Sequence, residues 1–271
     1  MNKPKAVGRW VDLGPRVASA VVLVAVGAFA IFQGGWFFVL LVSIFAGAMI
    51  WEFLKMHRKN KDDVVFMCAS LSTAALFLFG STHLFVTPAF GLVLLLLLGA
   101  SIAVFARAEL PLAKAYPAGI LVGCATIVLL GENNGMIWVL WLVVVVAVSD
   151  IAGYFAGKSF GGPKFWPAIS PKKTWSGTIA GWAAAAGAGL VFAPFVQNSL
   201  VPFVLTSVVL ALAAQFGDIL ESAIKRNCNA KDSSNLIPGH GGFMDRFDGL
   251  MGAAVVFLVM SLVSGWPGGL L

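Results

Sequence analysis

Charge is what this sequence has least of. Only 11% of its 271 residues are Asp, Glu, Lys or Arg, while 59% are hydrophobic and the mean hydropathy is +0.92. Ordinary soluble domains carry about 25% charged residues, so the composition excludes one. Cysteine is scarce too. Cys68, Cys124 and Cys228 have no metal-ligand spacing, which argues against a zinc site or a disulfide framework. His240 has no second His or Cys at metal spacing. Long polar connections are also missing, so 1–271 reads as one integral membrane domain. The net charge of +6 lacks a basic stripe with interleaved aromatics. It therefore does not point to nucleic acid.

What the chain has instead is a series of uncharged apolar runs of the length that crosses a bilayer. The expected fold is an all-α polytopic membrane protein with nine spans, at 17–33, 35–54, 64–80, 84–106, 115–131, 135–157, 177–196, 199–224 and 244–264. The first run follows Lys3, Lys5, Arg9 and Arg16, leads at once into another span and lacks a small-residue cleavage site, so it reads as a helix. Placing the N-terminus in the cytoplasm and the C-terminus outside puts all 18 Lys and Arg on inner segments or just past the last of them. This obeys the positive-inside rule. The Gly/Ala-rich seventh span suits close helix packing or a dimer seam.

Four polar constellations fall at the expected inner face. Asp150 lies within span six, where a carboxylate is costly, roughly 2.5–3.5 kcal/mol on insertion scales, and therefore suggests function. The 158–176 loop gathers Lys158, Lys164, Lys172 and Lys173 with Gly161 and Gly162; such backbone and such point charges suit a polyphosphate. Near the end of span eight, Gln215, Asp218, Ser222 and Lys225 share one helix face, and Glu221 stands at i,i+4 to Lys225, a spacing that can be purely structural. Finally, the turn Pro238–Gly242 leads into Asp245 and Asp248, spaced i,i+3 so that both can face one ligand. Carboxylates at a helix start are also favourable by themselves.

Carboxylate oxygens select Mg²⁺ or a similar hard ion, which takes its remaining ligands from phosphate and water. Asp218 and Asp245 end consecutive helices on one side, and neither has an obvious ion-pair partner in sequence. The reading is a metal held by that pair and ringed by Lys172, Lys173, Lys225, Arg226, Lys231 and Arg246: a site for a nucleoside triphosphate at the membrane surface.

The segment Ser222–Asp248, SAIKRNCNAKDSSNLIPGHGGFMDRFD, resembles the signature of phosphatidate cytidylyltransferases (CDP-diacylglycerol synthases) over 27 residues without a gap. Gln215-Phe-Gly-Asp218 and Ile169-Ser-Pro-Lys-Lys-Thr174 are similar to that family as well. Ser176 stands where the family usually carries Glu, and Asp150-Ile-Ala-Gly-Tyr154 stands for its DTGAY-like stretch. Residues 1–140 match only as generic spans. The resemblance implies a nine-helix homodimer in the bacterial cytoplasmic membrane, with its active site on the cytoplasmic side. It implies transfer of CMP from CTP to phosphatidic acid, giving CDP-diacylglycerol and pyrophosphate. Asp218 and Asp245 would hold Mg²⁺, and a second cation is possible, with Asp248 in support. Lys225, Arg226, Lys231 and Arg246 would bind phosphates, Asp232 would orient the cations, and Ser222 and His240 would complete the substrate site. A phosphate monoester with a second pKa near ~6 is already largely dianionic at neutral pH, so no strong base is needed. An ion-coupled transporter explains Asp150 and Asp218 but not so many charges of both signs at one face. A scaffold explains only the glycines, and the DG…AR…G…D…D pattern of CDP-alcohol phosphotransferases is absent.

Overall fold

The computed structural model describes residues 13–58, 61–82, 87–167, 169–196, 198–239, 241–267 and 270. Among them nine helices follow in order: α1 Leu13–Gln33, α2 Gly35–His57, α3 Asp62–Thr82, α4 Pro88–Ala106, α5 Pro111–Leu129, α6 Met136–Phe160, α7 Trp175–Phe192, α8 Leu200–Asn227 and α9 Met244–Ser264. A π-helical turn, Leu130–Asn134, prolongs α5. The chain is an all-α polytopic membrane protein. Seven of the helices are long and apolar enough to cross a membrane. The other two are α1, whose apolar stretch is Val17–Gln33, and α7, the Gly/Ala-rich span.

The differences from the expected spans have local causes. Pro88 and Pro111 sit at the first turns of α4 and α5, where a missing N–H costs nothing because that group has no helical partner. Helix α8 continues to Asn227 and carries Lys225 and Arg226 in its last turn, where positive charge complements the helix dipole. Within the expected 158–176 loop the chain forms a small antiparallel hairpin, β1 Lys164–Trp166 and β2 Ser170–Thr174. Thr174 then caps α7 by accepting the Gly177 N–H at 3.2 Å.

Large apolar side chains such as Phe32, Val104 and Val263 cover the outer surface, as a lipid-facing protein requires. Inside, Trp141, Phe203 and Phe257 are fully buried, with the Trp141 ring in contact with both phenylalanines, and the Trp141 indole N–H donates to Ser207 Oγ at 3.0 Å. Two glycine contacts set the helix pairs around the site. A Cβ on Gly177 of α7 would lie 2.5 Å from the Gly153 carbonyl of α6. A Cβ on Gly252 of α9 would lie 2.7 Å from the Ala213 carbonyl and 3.0 Å from Gly217 Cα of α8. Gly181 and Gly189 of α7 are likewise filled by Ser149, Gln215, Val204 and Ser207 of the same chain. The small residues of α7 thus bring backbones together within the subunit.

Candidate active site

The C-terminal end of α6, the C-terminal half of α8 and the N-terminal ends of α7 and α9 converge on one cavity of about 440 Å³. Its wall includes Asp150, Asp218, Asp245 and Asp248, together with Lys158, Lys172 and Lys173. The N-terminus of α7 at the cavity favours an anion there through its helix dipole, whereas the N–H groups at the start of α9 are taken by Glu52 and Asp245.

At the floor, Asp218 and Asp248 line the cavity and Glu221 lies buried beside them. One oxygen from each of Asp218, Glu221 and Asp248 can be chosen so that all lie within 4.8 Å of one another. Asp218 and Glu221 are i,i+3 on α8, and Asp248 comes from the first turns of α9 across the Gly217 contact. Lys173 reaches over from β2 to pair with Asp218 at 2.6 Å and to donate to the Gln215 carbonyl at 3.1 Å. Ser222 donates to Asp218 at 3.4 Å. Glu221 is fully buried, and its Oε1 has no hydrogen-bond partner among the described residues. An orphaned buried carboxylate oxygen beside two others is a donor set that suits a hard cation.

Behind this floor lies an ordered network. Lys225 contacts Glu221 and Asp245, each at 2.5 Å. Asp245 Oδ2 accepts the Ser233 N–H at 2.9 Å, the Ser233 hydroxyl at 2.9 Å and the Gly242 N–H at 2.8 Å. Glu52, buried on α2, accepts from the Ser233 and Ser234 hydroxyls and from the Phe243 and Met244 N–H groups. On the far wall, Ser176 donates to the Gly161 carbonyl at 2.5 Å and lies 3.0 Å from the Thr174 hydroxyl, tying the hairpin to the start of α7.

The structure therefore brings Asp218, Asp245, Asp248, Lys172 and Lys173 to one cavity and redistributes the rest. The expectation that Asp218 and Asp245 lack ion-pair partners does not hold, because Lys173 and Lys225 take them. Lys225 stands behind the carboxylates, not in the cavity wall. Arg226, Lys231, Asp232 and Arg246 are exposed outside that wall: Arg226 sits in the last turn of α8, Lys231 and Asp232 follow that helix, and Arg246 lies in the first turn of α9. His240 lies outside the described residues.

The sequence profile of the cytidylyltransferase family matches residues 14–263. The chain belongs to that family. It is 43% identical to a phosphatidate cytidylyltransferase of Brucella suis over 139 residues, 50% of this chain and 51% of that protein. Proteins of the same name from Haemophilus influenzae and Bacillus subtilis are each 38% identical, over 130 and 123 residues, covering 46% and 44% of this chain and 45% of each protein. The chain spans about half the length of the curated relatives it matches.

The family match covers helices that the sequence reading treats as generic, and one of them carries Glu52. That reading passed over a carboxylate in the inner part of an apolar span, although the rule applied to Asp150 applies equally to it. It also set Glu221 aside as the partner of Lys225. Only the packing of α8 on α9 places Glu221 beside Asp248 as well.

Proposed function

We propose that this protein is a phosphatidate cytidylyltransferase of the bacterial cytoplasmic membrane, acting as a homodimer with its cavity toward the cytoplasm. It transfers CMP from CTP to phosphatidic acid. The observation that carries the reading is the cluster of Asp218, Glu221 and Asp248 at the cavity, with Lys173 paired to Asp218, in a chain of the cytidylyltransferase family.

Charge balance supports the reading and shapes the mechanism. The cavity wall has four aspartates against three lysines, so a triphosphate cannot settle there without added positive charge. Asp218, Glu221 and Asp248 would hold Mg²⁺, a set that differs from the Asp218–Asp245 pair expected from sequence; a second cation is compatible with Asp150 nearby. When bound, such an ion neutralises phosphate oxygens and stabilises charge on the transferring and leaving groups. Lys172, exposed and without an ion-pair partner among the described residues, and Lys158 bind the β- and γ-phosphates. Lys173 is held by Asp218 and the Gln215 carbonyl, which fixes its ammonium beside the α-phosphate. The N-terminus of α7, whose Gly177 and Thr178 line the cavity, favours the same anions through its helix dipole. A phosphate oxygen of the lipid forms the new P–O bond at the α-phosphorus, the bond from that phosphorus to the bridging oxygen breaks, and pyrophosphate leaves. The lipid phosphate is a dianion near neutral pH, so no side chain has to remove a proton. Catalysis is positioning and electrostatic stabilisation.

The test is direct. Purified protein with CTP, phosphatidic acid and Mg²⁺ should release pyrophosphate and yield a lipid carrying CMP in equal amounts. Pyrophosphate release without the lipid product, or no reaction with either, rejects the reading.

A further inference from the structure

Glu52 is the one carboxylate on α2 and is completely buried. A buried charge is costly unless hydrogen-bonded, and here four donors face it. Oε1 accepts the Ser234 hydroxyl at 2.5 Å and the Phe243 N–H at 2.9 Å; Oε2 accepts the Ser233 hydroxyl at 3.1 Å and the Met244 N–H at 2.7 Å. Phe243 makes no side-chain cap for α9. Glu52 therefore caps that helix from another element, at the turn that carries Asp245.

The link to the cavity runs through Ser233. Its hydroxyl has one proton and two carboxylates within reach, Glu52 Oε2 at 3.1 Å and Asp245 Oδ2 at 2.9 Å. Its backbone N–H goes to Asp245. Asp245 in turn fixes Lys225, which holds Glu221 at the carboxylate floor. Space is tight around the clamp: a Cβ on Gly242 would run into Ser233 Oγ and the Glu52 carboxylate. A cap alone would need only the two N–H contacts. The serine relay to a cavity carboxylate is extra.

We propose that Glu52 is a positioning residue for the transfer reaction, acting through Ser233 to set Asp245 and Lys225. This rests on the cytidylyltransferase reading above. Glutamine at this position offers one acceptor oxygen and an amide that faces N–H and O–H donors, so it breaks the clamp with little change in size.

The experiment uses the full chain in detergent or nanodiscs. Glu52→Gln and Ser233→Ala should each lower kcat roughly 10–100-fold, the usual cost of losing a partner that orients a site residue. The loss should fall on kcat more than on KM for CTP, as for an interaction that matters mainly in the transition state. Glu52→Gln combined with Asp245→Asn should cost little more than Asp245→Asn alone. Ser207→Ala, which unpairs Trp141 in the core, serves as the comparator: it should lower the melting temperature while the folded fraction keeps its kcat. Full kcat in folded Glu52→Gln or Ser233→Ala, or losses that multiply with Asp245→Asn, overturn the proposal. Should Glu52→Gln not fold, Ser233→Ala decides alone. Amide exchange at 242–244 provides a readout without turnover, and should be at least about tenfold faster in Glu52→Gln as the clamp opens; unchanged exchange also overturns it. If wild-type protein transfers no CMP, the activity reading fails while the exchange result still judges the clamp.

Discussion

Lys225 on α8 lies 2.5 Å from Asp245 on α9, so a lysine whose sequence context suggests a phosphate ligand is already committed to a carboxylate. The same ammonium holds the buried Glu221. One cation thus pairs with two acids at the junction of the two helices that carry the site.

Removing it should harm the fold before it harms substrate binding. Lys225→Met leaves Glu221 uncompensated in the interior, and breaking a buried pair from one side costs about 3–5 kcal/mol. A marked fall in the melting temperature is expected. Lys225→Met with Glu221→Gln should recover much of that fall without recovering turnover. Thermal denaturation and a CMP-transfer assay on both variants check this.

Asp218 and Asp248 should behave as one unit. Asp218→Asn and Asp248→Asn each remove a charge without changing size, and each should lower kcat on the order of 10²–10³-fold. The double variant should cost far less than the product of the two. Asp218→Asn should also need more Mg²⁺ to reach its maximum rate. Asp245→Asn should not, because Asp245 is occupied by Lys225 and three further hydrogen bonds. A Mg²⁺ titration that shifts equally in both single variants would return Asp245 to the metal.

Neighbouring lysines should separate. Lys173→Ala loses the ion pair to Asp218 and the bond to the Gln215 carbonyl; a charged hydrogen bond is worth about 1.5–3 kcal/mol, so kcat/KM should fall by 10-fold or more. Lys172→Ala removes only an exposed charge, and its effect should appear as a raised KM for CTP that grows as salt is lowered, when wild-type attraction is strongest. Steady-state kinetics at two ionic strengths distinguish the two.

Glycine replacements should follow the helix contacts. Gly177→Ala would place a methyl 2.5 Å from the Gly153 carbonyl, forcing α6 and α7 apart at the cavity, at a cost of about 1–3 kcal/mol. Gly187→Ala on the same helix meets nothing within 4 Å and should be neutral or slightly stabilising. Melting temperatures of the two variants provide the comparison.

The orientation of the site is open to labelling. Helix α6 separates the turn Leu130–Asn134 from the β1–β2 hairpin, so the two lie at its opposite ends. In a cysteine-free background, Gly162→Cys and Asn229→Cys should react only from the cytoplasmic side, and Asn133→Cys only from outside. Reaction of Gly162→Cys from outside would invert the topology.

The sequence by itself determined the membrane class, most of the helix positions and the polar end of the protein. Those properties are local or additive: twenty apolar residues select a bilayer whatever their neighbours, and a charge among them is expensive wherever it lies. It also put Asp245 and Asp248 in the first turns of one helix and Asp218 with Ser222 on one face of another, because three- and four-residue spacing fixes which side chains share a face. What it could not decide was which charges meet. Lys173 and Asp218 are 45 positions apart and meet only because a hairpin folds back over α8. Asp245 goes to Lys225, not to Asp218, because the Gly217–Gly252 contact sets how α9 lies on α8. Glu52 reaches the start of α9 from 191 residues away. Ion pairing falls steeply with distance, and across helices that distance is set by tertiary packing; only the folded chain selects one pairing from the many that its scarce charges allow.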